Sequence, residues 1–213
     1  MLQGLISVSD SLHLTSSPGA ALLVAAFGIA SLIGLFVSPS LIDRGLLRPY
    51  WLLPRKQYST LITSAFLHAN LPHLLFNAFT FWAFAPQLER AMGTGPFLGL
   101  YFFGLLGSDL GTYFKHRHEP GYQCLGASGA ILAVLFASII YFPSSSIYVM
   151  PLPFPIPAPL FAMAYLAYSY YASRQAKGLV NHDAHLAGAV AGIVFIGLLD
   201  PTRLGQAWHS FAQ

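Results

Sequence analysis

Residues 124–137 read CLGASGAILAVLFA, a serine among small residues at the start of a long apolar run. The pattern G-x-S-G at 126–129 places Ser128 at the mouth of a predicted helix, and we interpret this serine as a candidate nucleophile. Small residues are also common where membrane helices pack closely, so a helix-packing patch is the alternative interpretation. Two further stretches favour a functional site if they can meet the first: H-x-x-x-N at 73–77 and A-H-x-x-G at 184–188.

The composition of the chain predicts an integral membrane protein. Of its 213 residues, 55% are hydrophobic and only 8% are charged, whereas about a quarter of the residues in soluble domains are charged. The few charges leave long uncharged runs, near the ~20 residues needed to cross the hydrocarbon of a bilayer. The net charge of +3 comes without a basic run or stripe, which argues against nucleic-acid binding and indicates at most a mild preference for anionic lipid.

Six apolar segments predict an all-α fold, a polytopic bundle of six transmembrane helices that forms a single domain over 1–213. In chain order these segments are 19–37, 72–87, 97–114, 127–142, 160–172 and 184–199. We expect Glu89 and Arg90 to end the second segment and residues 93–96 to form a tight turn. The six prolines within 143–159 exclude a helix there, and a short tail follows the last segment.

Outside the apolar segments, residues 40–70 mix basic and aromatic side chains, a pattern typical of the lipid headgroup region. We interpret them as a structured interfacial first loop. Residues 1–18 lack a basic n-region, so we expect no cleavable signal peptide and insertion through the first membrane helix. The single cysteine, Cys124, excludes an internal disulfide and a four-cysteine zinc site, and we expect neither a metal nor a cofactor.

In a chain with six membrane spans, the three polar stretches should lie on the same side of the membrane. Spans two, four and six all begin on the same side, whichever way the protein is inserted. His73 and Asn77 lie at the start of span two, Ser128 at the start of span four and His185 at the start of span six. All four residues should therefore lie at the same shallow depth.

Small residues at every fourth position predict that spans four and six pack backbone to backbone. They are Gly129, Ala133 and Ala137 on span four, and Ala184, Gly188 and Gly192 on span six. Ser128 and His185 flank this contact. A single intramembrane His or Asn is more often an interhelical hydrogen-bond partner than a catalyst, but four polar residues at one end of the bundle favour a shared site.

Ser128 and His185 provide the chemistry of a nucleophile and its general base. Asp183 precedes His185 by two helical positions and should point away from it, so we interpret Asp183 as a loop or capping acid. Acyl transfer also needs hydrogen-bond donors for the developing oxyanion. The candidates are the Ser128 backbone N–H at the helix start and the side chains of His73 and Asn77, which lie one turn apart.

Over about residues 66–201 the sequence resembles the rhomboid family of intramembrane serine proteases. The motifs that carry the resemblance are F-x-H-x-x-x-x-H-x-x-x-N at 66–77, L-E at 88–89 with Gly93, G-A-S-G-A at 126–130 and A-H-x-x-G-x-x-x-G at 184–192. Three features depart from the family pattern. Arg90 and Ala91 follow Glu89, where the family often shows x-Arg. Trp51 and Arg55 are four residues apart instead of forming the Trp-Arg pair, and Leu132 occupies the position where some bacterial members have a tyrosine against the catalytic histidine.

The resemblance implies a rhomboid-like bundle with Ser128 as nucleophile and His185 as general base. It implies an oxyanion hole formed by His73, Asn77 and the Ser128 amide. The supporting positions that it implies are Gly126, Gly129, Gly188 and His68. The substrates would be single-span or other transmembrane proteins in the lipid bilayer, with the first loop embedded in the membrane and the fifth span gating lateral access. A helix must unwind before it is cleaved, so we expect a preference for small or helix-breaking residues near the cut.

Two other functions stay open at this point. A non-catalytic rhomboid-like adaptor would bind transmembrane segments, but such relatives typically lack the serine or the histidine. A small transporter or proton channel could use the buried histidines, but that class typically shows broken helices or inverted repeats, and we find neither in the sequence. We expect a multi-pass protein of the bacterial inner membrane, with an organelle as the alternative. The family pattern implies a cytoplasmic amino terminus. In that orientation the segments outside the membrane carry eight basic residues and the cytoplasmic segments carry two, against the positive-inside rule, so both orientations stay open.

Overall fold

The computed structural model describes residues 16–149, 152–175 and 181–211, and this part of the chain is mostly helical. The helices are α1 (Pro18–Phe36), α2 (Pro39–Gly45), α3 (Pro49–Leu52), α4 (Thr60–Thr63), α5 (Leu71–Met92), α6 (Thr94–His116), α7 (Ser128–Tyr141), α8 (Ala158–Gln175), α9 (His182–Leu199) and α10 (Pro201–Phe211). A 3-10 turn covers Ser64–Phe66. The predicted helical fold is confirmed, and the six predicted segments correspond to α1 and α5 to α9.

The length and hydropathy of the helices support a membrane location without fixing the number of crossings. Among the described helices, α1 and α9 are long and apolar enough to span a bilayer by themselves. Helix α7 is apolar but only 14 residues long. The six-span count therefore stays a prediction.

Helix α7 forms the centre of the bundle. Every residue from position 129 to 140 is buried, and the helix packs against α5, α6 and α9. Its side chains are small or aliphatic along most of its length, so neighbouring helices can approach on every side.

The seam between α7 and α9 is a backbone-to-backbone contact. A Cβ atom at Gly188 would overlap the carbonyl oxygen of Gly129, and one at Gly192 would overlap the carbonyl oxygen of Ala133. A Cβ at Gly129 would in turn overlap the Ser108 hydroxyl on α6. The predicted packing of the two small-residue rows is confirmed.

The first loop is structured and attached to the segment that precedes Ser128. Leu47 and Cys124 exchange two backbone hydrogen bonds of 3.0 Å, and the Gly126 N–H donates to the Ser64 carbonyl at 2.9 Å. These bonds hold the start of α7 against the loop. The first loop is therefore ordered by hydrogen bonds, while its location at the membrane interface stays a prediction.

The predicted end of the second span at Glu89 and Arg90 is wrong. Helix α5 continues to Met92 and ends at Gly93, whose φ of +87° suits a glycine at a helix C-terminus. Glu89 is tolerated inside because its carboxylate accepts hydrogen bonds from the N–H groups of Gly19 (2.9 Å) and Ala20 (2.7 Å) at the start of α1. The turn predicted at residues 93–96 is shorter than expected, because α6 already begins at Thr94.

Two further segments contain elements beyond those predicted. The short tail that was predicted without a conformation contains the amphipathic helix α10 (Pro201–Phe211), with Ala207 buried and Trp208 exposed. The proline-rich segment contains an antiparallel pair of strands, β1 (Ser146–Ile147) and β2 (Ile156–Pro157). As predicted, its described residues form no helix before α8 begins at Ala158.

The seam predicts an unequal response to added methyl groups. Gly188→Ala should lower the free energy of unfolding by about 1–3 kcal/mol, because its Cβ would force α9 away from the Gly129 backbone. Gly28→Ala is the matched control, since a Cβ on that α1 residue meets nothing within 4 Å and helical alanine is favoured over glycine. Thermal unfolding of both variants in detergent measures the difference, and equal stability of the two variants would contradict the seam.

Candidate active site

Ser128 and His185 are in direct contact at one end of the α7–α9 seam. The Ser128 hydroxyl lies 2.8 Å from Nε2 of His185, the distance of a good O–H···N hydrogen bond. Ser128 is the first residue of α7, and His185 lies in the first turn of α9. Both side chains are partly exposed, so the pair can be approached from outside the protein.

The N-terminus of α9 is anchored by hydrogen bonds to its neighbours. The Asn181 side chain accepts from the Ala184 N–H at 3.0 Å and donates to the Thr112 hydroxyl of α6 at 3.0 Å. This residue therefore caps α9 and also fixes its start against α6.

Asp183 takes no part in a catalytic triad. Its carboxylate contacts Lys115 Nζ at 2.7 Å and His116 Nε2 at 3.2 Å, both at the end of α6. The prediction that Asp183 points away from His185 is therefore confirmed. Its interpretation as a loop or capping acid is wrong, because Asn181 is the cap and Asp183 ties α9 to α6.

Gly126 and His73 form a close contact immediately before the serine. Gly126 has a φ of +123°, which favours glycine, and a Cβ there would lie 2.8 Å from Cε1 of His73. The His73 imidazole thus lies against the backbone that leads into Ser128. This places one of the candidate oxyanion donors at the site.

Asn77 lies on the same helix as His73 but is engaged locally. It is buried, and its Nδ2 donates to the His73 carbonyl at 3.2 Å. Within the described ranges, neither residue makes a hydrogen bond to Ser128. The oxyanion roles of the two side chains stay predictions.

His68 is buried next to His73, and its role as a supporting residue stays a prediction. It is fully buried, its Nδ1 lies 2.8 Å from the Ser31 hydroxyl of α1, and its ring contacts that of His73 edge to face at 4.9 Å. Burial, with a smaller contribution from His73, lowers the pKa of His68 from 6.5 to about 3. A neutral imidazole at this position braces the His73 ring.

A small cavity lies behind the serine. Its volume is about 20 Å³, enough for one water molecule. Its lining includes Ser108, Asp109, Asn181 and Ser128. The site thus offers a polar, water-sized space within the helix bundle.

Sequence reasoning missed Tyr165. Its hydroxyl lies 3.1 Å from Nδ1 of His185, on the side of the ring opposite to Ser128. Helix α8 also carries tyrosines at 168, 170 and 171, so residue type alone could not single out the one that reaches the histidine. Leu132, where the family pattern suggested a tyrosine, packs in the apolar cluster between α7 and α8.

Comparison with known proteins identifies the same family as the sequence motifs around Ser128 and His185. Residues 55–201, more than half of the chain, match the family model of the Rhomboid domain. The chain belongs to the rhomboid family. Rhomboid proteins are integral membrane proteins, and the family includes serine proteases.

Several curated rhomboid relatives match this chain over part of their length. Presenilin-associated rhomboid-like protein A, mitochondrial, of Danio rerio is 30% identical over 152 residues, which cover 64% of this chain and 36% of the relative. Rhomboid protein 1, mitochondrial, of Saccharomyces cerevisiae is 30% identical over 156 residues, 70% of this chain and 45% of the relative. Putative rhomboid protease YdcA of Bacillus subtilis is 44% identical over 75 residues, 35% of this chain and 36% of the relative.

The chain therefore spans less than half the length of these relatives. Their names include both mitochondrial proteins and a bacterial one. The expected location in a bacterial inner membrane stays a prediction, with an organelle as the alternative.

The burial of neutral His68 predicts a pH-dependent stability of this rhomboid protein. In the unfolded chain the imidazole takes up a proton below about pH 6.5, whereas in the folded chain it does so only near pH 3. The stability that His68 contributes should thus fall as the pH is lowered from 6.5, by about 2–3 kcal/mol at pH 4.5. Unfolding in detergent at pH 7.5 and 4.5 should show a smaller acid loss for His68→Gln than for the wild type.

His209→Gln is the control for this experiment, since His209 is exposed on α10. It should retain the full acid loss of the wild type. An identical loss in His68→Gln would contradict the assignment of His68 as a neutral, buried support.

Proposed function

We propose that this rhomboid protein is an intramembrane serine endopeptidase with six membrane spans, which hydrolyses peptide bonds in or near transmembrane helices. The observation that supports this function best is the 2.8 Å contact between the Ser128 hydroxyl and Nε2 of His185. A serine becomes a strong nucleophile only when a base lies within hydrogen-bond reach. Both residues lie at helix starts on the same end of the bundle, where water from one membrane face can reach them.

In the proposed acylation step, His185 removes the hydroxyl proton while the Ser128 oxygen attacks the carbonyl carbon of the scissile bond. The C–N bond then breaks, and the leaving amine takes the proton from the imidazolium. A water molecule, deprotonated by the same imidazole, next attacks the acyl ester, releases the carboxylic acid product and restores Ser128. The balance requires no metal and no redox partner.

The oxyanion that forms in each half-reaction would be stabilised from two directions. The Ser128 N–H belongs to the first turn of α7, where backbone donors have no partner inside the helix. The His73 imidazole lies against Gly126 from the other side, and Asn77 follows one turn along α5. Hydrogen-bond donors that are already in place stabilise developing charge without reorganisation.

The substrates would be single-span or other transmembrane proteins that approach from the lipid. Helix α8 is the natural lateral gate, because only Ala158 and Ser169 on it are buried while most of its other residues are exposed or half-exposed. A bound helix must expose its backbone before attack, so small or helix-breaking residues near the cut should favour cleavage.

Removal of either dyad member should abolish cleavage. We expect Ser128→Ala and His185→Ala each to lower the rate of cleavage of a single-span substrate in proteoliposomes at least about 10³-fold, because the nucleophile or its base is lost. Thermal unfolding should change little. A serine-directed fluorophosphonate should label the wild type and not Ser128→Ala.

Ser210→Ala and His209→Ala are the matched controls, as both residues are exposed on α10. They should cleave and label like the wild type. Undiminished cleavage by Ser128→Ala would end the protease proposal. Binding of transmembrane segments without cleavage by the wild type would favour a non-catalytic adaptor.

The oxyanion assignment predicts a loss in turnover. His73→Ala and Asn77→Ala should each lower kcat about 10²-fold and change KM much less, since the lost hydrogen bonds form mainly in the transition state. Steady-state kinetics against His118→Ala, which alters an exposed loop residue, measures the effect. A rise in KM with unchanged kcat would instead assign the two side chains to substrate binding.

A further inference from the structure

We propose that Tyr165 is a positioning residue of the catalytic dyad, and that it makes the general base depend on the docking of helix α8. This inference rests on the proposed protease function. The Tyr165 hydroxyl lies 3.1 Å from Nδ1 of His185, while the Ser128 hydroxyl lies 2.8 Å from Nε2. One imidazole carried by α9 is thus held at both nitrogens by side chains from two other helices.

The chemistry of the imidazole gives this contact a role. A neutral histidine has one protonated ring nitrogen and one bare one. Nε2 must be bare to accept the proton of Ser128, so the ring proton must then reside on Nδ1. The Tyr165 oxygen is placed to accept a hydrogen bond from that N–H, and it remains an acceptor when His185 becomes an imidazolium during attack.

Among the described residues, no acid takes the place of Tyr165 as the partner of Nδ1 of His185. Serine hydrolases that work as triads use a carboxylate to orient the histidine. The nearest acid in sequence, Asp183, is engaged by Lys115 and His116, and among the described residues no carboxylate makes a hydrogen bond to His185. A neutral phenol orients the ring with less charge stabilisation than a carboxylate provides.

Aromatic packing holds the Tyr165 ring in place. Phe161, one turn earlier on α8, stacks on it with centroids 5.6 Å apart, and Phe136 of α7 lies against it at 6.0 Å. The hydroxyl therefore follows the position of α8 relative to α7. Displacement of α8 would carry the phenol away from Nδ1.

Because few residues of α8 are buried, the contact between Tyr165 and His185 couples the orientation of the imidazole to the position of this helix. Helix α8 packs on α9 and α7, and its buried residues are few, so displacement of this helix costs less than displacement of α7. A substrate helix that pushes α8 aside would separate Tyr165 from His185. The base would recover its orientation only once α8 has returned to its place beside the bound substrate.

The kinetic test is Tyr165→Phe, which removes one oxygen and keeps the ring packing. We expect kcat to fall about 10- to 100-fold, the size of the loss when a metal-bound histidine is deprived of the partner that orients it, with KM within about twofold of the wild type. Tyr171→Phe is the matched control, because this tyrosine of the same helix is 65% exposed. It should retain wild-type kinetics.

A second measurement reports on the ring itself and needs no catalysis. In protein labelled with ¹⁵N at the histidine rings, the His185 signals are those that disappear in His185→Gln. We expect the wild type to show a protonated Nδ1 and a bare Nε2. Tyr165→Phe should shift population towards the other tautomer, and Tyr171→Phe should not.

The two measurements separate this inference from the proposed function. Persistent cleavage by Ser128→Ala would remove the protease proposal, whereas the ring spectra would still judge the contact of Tyr165. Wild-type kcat and unchanged ring signals in Tyr165→Phe would overturn the positioning role. A lower kcat with unchanged ring signals would overturn it as well, because the hydroxyl would then act elsewhere.

Discussion

The close approach of α7 and α9 is the constraint on which the rest of the structure depends. It exists because Gly188 and Gly192 present no side chain to the carbonyls of Gly129 and Ala133. In a bilayer, apolar side chains gain little by leaving lipid for protein, so dispersion at close range must stabilise the helix pair. The same contact sets the distance between the two helix starts. Ser128 and His185 can form a hydrogen bond only because the backbones behind them touch.

Polar side chains then orient what the seam brings together. Each buried polar group is costly in a membrane unless it has a partner, and the partners here join different helices. Glu89 of α5 receives the first N–H groups of α1, Asn181 joins α9 to α6, and Asp183 does the same through Lys115 and His116. The bonds of Asn181 and Asp183 restrict rotation of α9 about its own axis, which the dispersion contact alone would not do.

The features that could be predicted from the sequence are those that depend on spacing within one segment. The small-residue rows of α7 and α9 repeat every four residues, and in the predicted six-span chain the starts of alternate spans share a membrane face. Together these two patterns predict the contact between Ser128 and His185. The sequence predicts a helix end at Glu89, because a charged residue in an apolar run usually marks the end of a membrane segment. It does not reveal that the N–H groups that bind this carboxylate lie about 70 residues earlier. Tyr165 was missed because its reach depends on how α8 lies against α7. No local pattern encodes that angle.

Helices α7, α8 and α9 differ in how many of their residues are buried, and their proposed roles follow from this difference. Helix α7 is enclosed and carries the proposed nucleophile, and α9 packs against it along the glycine seam and carries the proposed base. Both should hold their positions while a substrate is bound. Helix α8 has the fewest buried residues of the three, and we therefore assign to it the lateral opening that the proposed transmembrane substrates require. Because α8 also provides the phenol at Nδ1, the proposed mechanism implies that an open α8 admits substrate but leaves His185 without its partner. The imidazole regains this partner only when α8 closes. A water-soluble protease has no such conflict, since its substrate reaches the site without displacing a helix.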